Sequence, residues 1–126
     1  MTPQGGEVMR TKDALGRHGE DLAAKFLQDA GIEVLERNWR CRLGEIDIVA
    51  LDGECLVVCE VKTRRSLAAG GPLEAVTPVK VARLRRLTAT WLADQDRSFD
   101  EIRIDVIGVH RPRRGRTVIE HLKWVS

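Results

Sequence analysis

Two apolar runs, Ile46 to Leu51 and Cys55 to Val61, flank an Asp52-Gly53 pair. Asp-Gly between such runs is the strongest short-range signal for a two-residue hairpin turn. Within each run apolar residues fall on both sides of the strand: Ile46, Ile48, Val57, Cys59 and Val61 on one, Val49, Leu56 and Val58 on the other. A strand apolar on both sides is covered on both sides, so the hairpin belongs inside a layered α/β fold and not on the surface of an open meander.

Charges interrupt this hairpin at one end. Side chains alternate along a strand, which puts Glu45 and Asp47 on the face of Val49, and Glu60 and Lys62 on the face of Leu56 and Val58. With Asp52-Gly53 as the turn, Leu51 pairs with Glu54, Glu45 faces Glu60, and Asp47 faces Val58 with Glu60 on its diagonal. Lys62 follows one step along. Opposed carboxylates destabilise a sheet, and drawing them out of water costs more unless something neutralises them. Lys62 is a single positive charge, so the cluster asks for a further cation. A solvated polar face with Lys62 as an ion-pair partner is the simpler alternative.

The rest of the chain supplies the layers. At 126 residues it has the size of one domain, expected over residues 12–126 after a disordered lead at 1–11. A first helix is predicted from Lys12 or Asp13 to Ala30, ended by Gly31, with Leu15, Gly19, Leu22, Ala23, Phe26, Leu27 and Ala30 as its apolar stripe and Glu20 at the margin. Gly16 and Gly19 inside it imply a close approach by a neighbour. Strands are predicted at Ile32–Trp39, Glu45–Leu51, Cys55–Thr63, Ile102–Val109 and Thr117–Val125. The second helix is capped by Thr77 with Pro78 at its first position, and buries Val81, Leu84, Leu87, Thr88, Trp91 and Leu92. The Ala68–Pro72 stretch reads as a loop that could move. A helix between the third and fourth strands permits parallel pairing, hence a mixed sheet with helices on both faces.

No apolar run is long enough to span a membrane and the N-terminal residues lack a signal-peptide core, so a cytoplasmic protein with no membrane partner is expected. Cys41, Cys55 and Cys59 are odd in number and scattered, which suits reduced thiols. A zinc site joining them to His18, His110 or His121 lacks the short Cys-x-x-Cys spacing. The net charge of +2 is small, yet basic residues bunch at 37–42, 62–65, 80–86 and 111–116. A negative pocket rimmed by positive charge suits a polyanion, although arginine-rich faces are also ordinary solvated surface.

A Glu in the first helix, an Asp in the second strand and Glu-x-Lys in the third resemble the PD-(D/E)XK nuclease superfamily. Gly16-Arg17-His18-Gly19-Glu20, Asn38-Trp39-Arg40, Gly44 to Ala50, Glu60 to Arg64, and Ala75-Val76-Thr77 with Lys80 and Arg83-Leu84 resemble the YraN family of predicted endonucleases, related to Holliday-junction resolvases. The resemblance covers about Leu15 to Val109. Ile46 stands where the superfamily label has Pro, a position that carries no chemistry.

What the resemblance implies is a restriction-endonuclease-like mixed sheet, ordered α-β-β-β-α-β with a C-terminal strand, and hydrolysis of DNA at branched or flapped structures. Asp47, Glu60 and the carbonyl of Val61 would ligate Mg²⁺ or Mn²⁺, hard cations that prefer oxygen. Lys62 would orient the attacking water, and Glu20 would hold a metal-bound water or a second ion. Glu45 either accepts a hydrogen bond just outside the ion's own ligands or pairs with Arg17 or Arg64. Arg64, Arg65, Lys80 and Arg83 would bind phosphates. A non-catalytic nucleic-acid-binding or adaptor protein, and a homodimeric resolvase, are the other readings.

Overall fold

The computed structural model describes residues 11–66 and 76–126. The expected lead, apart from Thr11, and the Ala68–Pro72 loop lie outside them. Seven elements follow in order: α1 (Thr11–Asp29), β1 (Glu33–Cys41), β2 (Gly44–Asp52), β3 (Cys55–Arg64), α2 (Pro78–Ala93), β4 (Glu101–His110) and β5 (Val118–Leu122). The strands form one mixed sheet in sequence order, antiparallel throughout except for the parallel β3–β4 pair that the α2 crossover allows.

Each face carries a helix, as the two-sided apolar runs require. Ala23, Ala24 and Leu27 of α1 pack on Ile48, Ala50, Val57, Cys59 and Ile107. Leu84, Leu87 and Trp91 of α2 pack on Val49, Leu56, Val58 and Ile104. A fully buried side chain of this kind contributes about 1.5–3 kcal/mol of hydrophobic free energy. Thr77 caps α2 as expected, its hydroxyl accepting from Lys80 N–H at 3.2 Å. Ala30 is exposed, and Ala24 completes the α1 stripe in its place.

The hairpin turn differs from expectation. Asp52 pairs with Cys55, so Gly53 and Glu54 form the turn and the register lies two residues from the predicted one. Gly53 has φ 62°, the positive value that the first central position of a II′ turn demands. Gly there decides the matter, because an L-residue such as Asp52 is strained at that angle. A slip of two preserves the faces, so the charges stay clustered while Glu60, not Val58, comes level with Asp47.

Gly19 meets the side chain of Thr63 on β3, and a methyl group placed there would overlap the Thr63 hydroxyl. Gly16 has open space around it, so no close approach explains that position. Gly19→Ala should therefore lower stability by about 1–3 kcal/mol despite its better helix propensity. Thr63→Ala in the same chain should recover part of the loss, read as a non-additive double-mutant cycle in urea.

The fifth strand is shorter than predicted because the chain turns at Trp124, φ 57°. Past that turn Val125 N–H donates to Ile104 O at 2.9 Å and Ile104 N–H to Ser126 O at 3.0 Å, so the C-terminus rejoins β4.

Candidate active site

The site is built where the sheet comes apart. Backbone pairing of β2 with β3 runs from Asp52↔Cys55 to Ile48↔Cys59 and stops. One residue on, Val61 N–H donates to the carboxylate of Asp47, Oδ2, at 2.8 Å. A side chain has taken the donor that a continuing ladder would have given to a main-chain carbonyl.

Alternation fails at the same point. Ile48 packs in the α1 core, yet Ile46, two residues before it, packs in the α2 core. The sequence expectation that both share a face is thus corrected. On the neighbouring strand Asn38 adopts φ 54°, a left-handed conformation that Asn tolerates better than most residues. Arg37 before it reaches Asp21 of α1 at 2.6 Å, while Trp39 after it packs against the α2 core. Both strands turn over across one level, which lets carboxylates from α1 and from the sheet approach one another.

Glu20, Asn38, Glu45, Asp47, Glu60 and Lys62 are gathered there. With its amide nitrogen facing the acids, Asn38 donates to Glu20 Oε1 at 2.8 Å and to Glu45 Oε2 at 3.2 Å. That orientation is assigned from its partners, since the reverse would set oxygen against oxygen. Glu45 also pairs with Arg40 across the strands at 3.4 Å, so Arg40 and Asn38 take the role expected of Arg17 or Arg64. Lys62 Nζ lies 3.5 Å from Glu60 Oε2, both partly shielded. Asn38 belonged to a motif in the sequence but had no assigned role there, because nothing in a single sequence marks a left-handed residue inside a strand.

Asp47 is the outlier electrostatically. Burial above all, opposed by the Val61 hydrogen bond and reinforced by the carboxylates of Glu60, Glu20 and Glu45, pushes its carboxyl from 3.8 up to about 7. Every charged neighbour among these influences is another acid. Glu20 is also raised, by burial and then by Glu45, with Arg37 and the Asn38 amide pulling the other way. Such a site gains from a bound cation.

Asp47, Glu60 and the Val61 carbonyl are hard oxygen donors, the set that suits Mg²⁺ or Mn²⁺. Among the described residues no three His, Cys, Asp or Glu side chains converge closely enough to enclose an ion by themselves. An ion at Asp47 would need water or substrate oxygens to complete its coordination, the usual habit of Mg²⁺. The three cysteines are free thiols, and Cys55 and Cys59 are buried.

The basic residues divide. Arg64 continues the line of Lys62 along β3 and is half-buried, whereas Arg65 is exposed and gives its carbonyl to His110. Lys80 and Arg83 stand on α2, with Arg83 exposed and its stem near Gly44 in the β1–β2 turn. No described helix is long and apolar enough to cross a membrane.

Residues 19–109, which include every acid of the cluster, match the model of a family described as uncharacterised protein family UPF0102. The chain is 57% identical over 119 residues to a UPF0102 protein of Kineococcus radiotolerans, covering 94% of this chain and 98% of that one. It is 58% identical over 118 residues to one of Beutenbergia cavernae, covering 94% and 100%. A third, from Streptomyces griseus, is 57% identical over 122 residues, covering 94% and 100%.

Proposed function

The chain belongs to the uncharacterised protein family UPF0102, and from that membership and the geometry of its acidic site we propose a metal-dependent nuclease that hydrolyses DNA phosphodiester bonds at branched or flapped structures. Placement in the YraN branch of the PD-(D/E)XK superfamily is part of the same proposal. The observation that carries it is Asp47: a carboxylate at a break in the sheet, bonded to Val61 N–H and surrounded by acids, one of which, Glu60, pairs with Lys62.

In this reading Asp47, Glu60 and the Val61 carbonyl would hold Mg²⁺ or Mn²⁺, which would supply Lewis acidity toward water and the phosphoryl group. Val61 N–H fixes the Asp47 carboxylate through Oδ2, which leaves the other oxygen as the one to meet the ion. Lys62, steadied by Glu60, orients the water and offsets charge growing on the phosphoryl oxygens. Glu20, held by Asn38, accepts a proton or hydrogen bond from water on the α1 side. Glu45 sits behind this group, tied to Arg40. Arg64, Arg65, Lys80 and Arg83 bind phosphates away from the reacting one.

The test is cleavage of single-stranded, duplex, flapped and four-way DNA with Mn²⁺, set against Asp47→Ala and Lys62→Ala prepared identically. Absence of cleavage of every DNA, or equal cleavage by the variants, would defeat the proposal. Metal binding carries its own signature. An acid that titrates near 7 must lose its proton to the ion, so Mn²⁺ affinity measured calorimetrically should fall about tenfold per pH unit below that point. Asp47→Asn should abolish this slope.

The spare donor set favours a second reading, a non-catalytic nucleic-acid-binding or adaptor protein. It predicts salt-dependent DNA binding with no Mn²⁺ uptake. A resolvase would in addition require a two-fold dimer to place paired cuts on opposite strands, and sedimentation equilibrium tests for it.

A further inference from the structure

Beside Lys62 the sheet carries a hollow to which none of the site's acids, Glu20, Glu45, Asp47 and Glu60, contributes. On the α2 side, cross-strand partners form two parallel rows: Lys62, Gly108 and Glu120, then Arg64, His110 and Val118. Partners in register point to the same face, so each row presents its side chains together. Gly108 has none. A cleft of about 130 Å³ is lined by all six residues together with Val109.

We propose that this cleft receives one unpaired base of the substrate strand, from the nucleotide adjoining the phosphate held at Lys62. The proposal rests on the nuclease reading above and adds a substrate class to it: DNA with an unstacked nucleotide beside the cut, in preference to continuous duplex.

Size, charge and hydrogen-bonding capacity agree on that occupant. A cavity of roughly 150 Å³ takes a benzene ring, so this slightly smaller open cleft admits the edge of one base at most and not a base pair. Its floor is apolar and suits a ring face. Arg64 lines the cleft, and its Nε is buried and, among the described residues, has no hydrogen-bond partner. A buried donor left unmade costs about 1–3 kcal/mol, which an arriving phosphate oxygen would relieve. Two residues of extended chain separate Lys62 from Arg64, roughly 6.7 Å, a spacing that neighbouring phosphates of one extended strand can meet.

The rim reads the base edge. His110 Nε2 lies 3.1 Å from the Arg65 carbonyl, which only accepts, so Nε2 carries the proton of that contact. Glu120, exposed at the other end of the cleft, is a carboxylate that accepts. An acceptor at that end favours bases with an exocyclic amino group over thymine. A base inside a duplex cannot enter without leaving its stack, at a cost of a few kcal/mol, whereas a flap or single strand presents it freely.

The experiment uses the full chain and three versions: wild type, Val118→Trp and Glu120→Gln. Val118 is 47% exposed on the edge strand, so a tryptophan there fills the mouth of the cleft without entering the core. Each version is assayed with Mn²⁺ on flapped DNA, on continuous duplex and on bis(para-nitrophenyl) phosphate, which has no base to place. The expected result is that wild type cuts the flap at least tenfold faster than duplex. The ratio of flap rate to bis(para-nitrophenyl) phosphate rate should fall at least tenfold in Val118→Trp. In Glu120→Gln the preference among bases flanking the cut should move several-fold toward thymine, because an amide also donates.

Equal ratios in wild type and Val118→Trp, with both substrates hydrolysed, would overturn the cleft while leaving the nuclease intact. Should wild type hydrolyse neither substrate, the nuclease reading fails, and binding decides the cleft. A fluorescent adenine analogue in the flap should then brighten on binding wild type and not Val118→Trp, and no brightening with wild type overturns the proposal.

Discussion

Asp47→Asn should lose at least a hundredfold in DNA cleavage and, at the same time, make the metal-free protein more stable at pH 8. The two effects share one cause. The loss follows because an amide is a poor ligand for a hard cation and cannot carry the charge that the proposed chemistry uses. The gain follows from linkage. The folded carboxyl titrates near 7 against 3.8 for an ordinary one, so the fold prefers the protonated form. Its contribution is fully present below the ordinary value and disappears as pH rises through about 7.

Above that pH the ionised group costs the fold an amount of order 4 kcal/mol, taking about 1.4 kcal/mol per pH unit. Relaxation, and the weaker acceptor that asparagine offers Val61 N–H, reduce the expected gain to about 1–2 kcal/mol. Urea melts of wild type and Asp47→Asn between pH 4 and 8, without metal, check it. The curves should coincide at the acid end and separate through the titration of Asp47. Parallel curves would mean that the carboxylate is not penalised in the fold, and the case for a cation there would lose its main support. Saturating Mn²⁺ should reverse the order of the two proteins.

Asp105→Ala is expected to be the most damaging substitution for stability, by about 3–5 kcal/mol, because it strips a charge cluster of its fully buried centre. Asp105 is 0% exposed. It accepts from Arg103 Nε at 3.0 Å, from His121 Nε2 at 2.7 Å and from Trp124 N–H at 3.0 Å. Arg103 in turn reaches Asp52 at 3.1 Å, which ties the β2–β3 hairpin to β4 and the C-terminal segment. Burial alone would raise the Asp105 carboxyl, but the hydrogen bonds from His121, Arg103 and Trp124 outweigh it and hold it below its ordinary value.

The sign is therefore opposite to that of Asp47. Asp105 stabilises the fold above its ordinary pKa and that contribution is lost as pH falls through its lower folded value. Chemical denaturation at pH 7 should show a lower midpoint for Asp105→Ala. In wild type, acid unfolding should set in below about pH 4, the ordinary carboxylate range. Asp105→Asn, which keeps an acceptor for Trp124 N–H, should fall between the two. A loss below about 1 kcal/mol would show that the cluster is dispensable to the fold.

Much of this architecture is legible in the chain itself. Apolar positions on both sides of β2 and β3 require cover on both faces, and α1 and α2 provide it. Thr77-Pro78 marks the start of α2, and the helix between β3 and β4 permits their parallel pairing. The same parity places Glu60 and Lys62 on one face, and a two-residue slip in the turn leaves that conclusion standing because side-chain period in a strand is two.

Tertiary structure alone decided where the pattern breaks. Sequence periodicity assumes a regular strand, so it could not show Asn38 in a left-handed conformation or Ile46 crossing to the α2 core. Those breaks open the sheet and let Asp47 take a backbone N–H in place of the ladder. Nor could it show Asp105 beneath His121, which lies 16 residues away, since neither has a local motif. Local propensity and periodicity are properties of neighbouring residues. The strain at Asn38, the desolvation of Asp47 and the pairing of distant charges are set by what the folded chain packs around them.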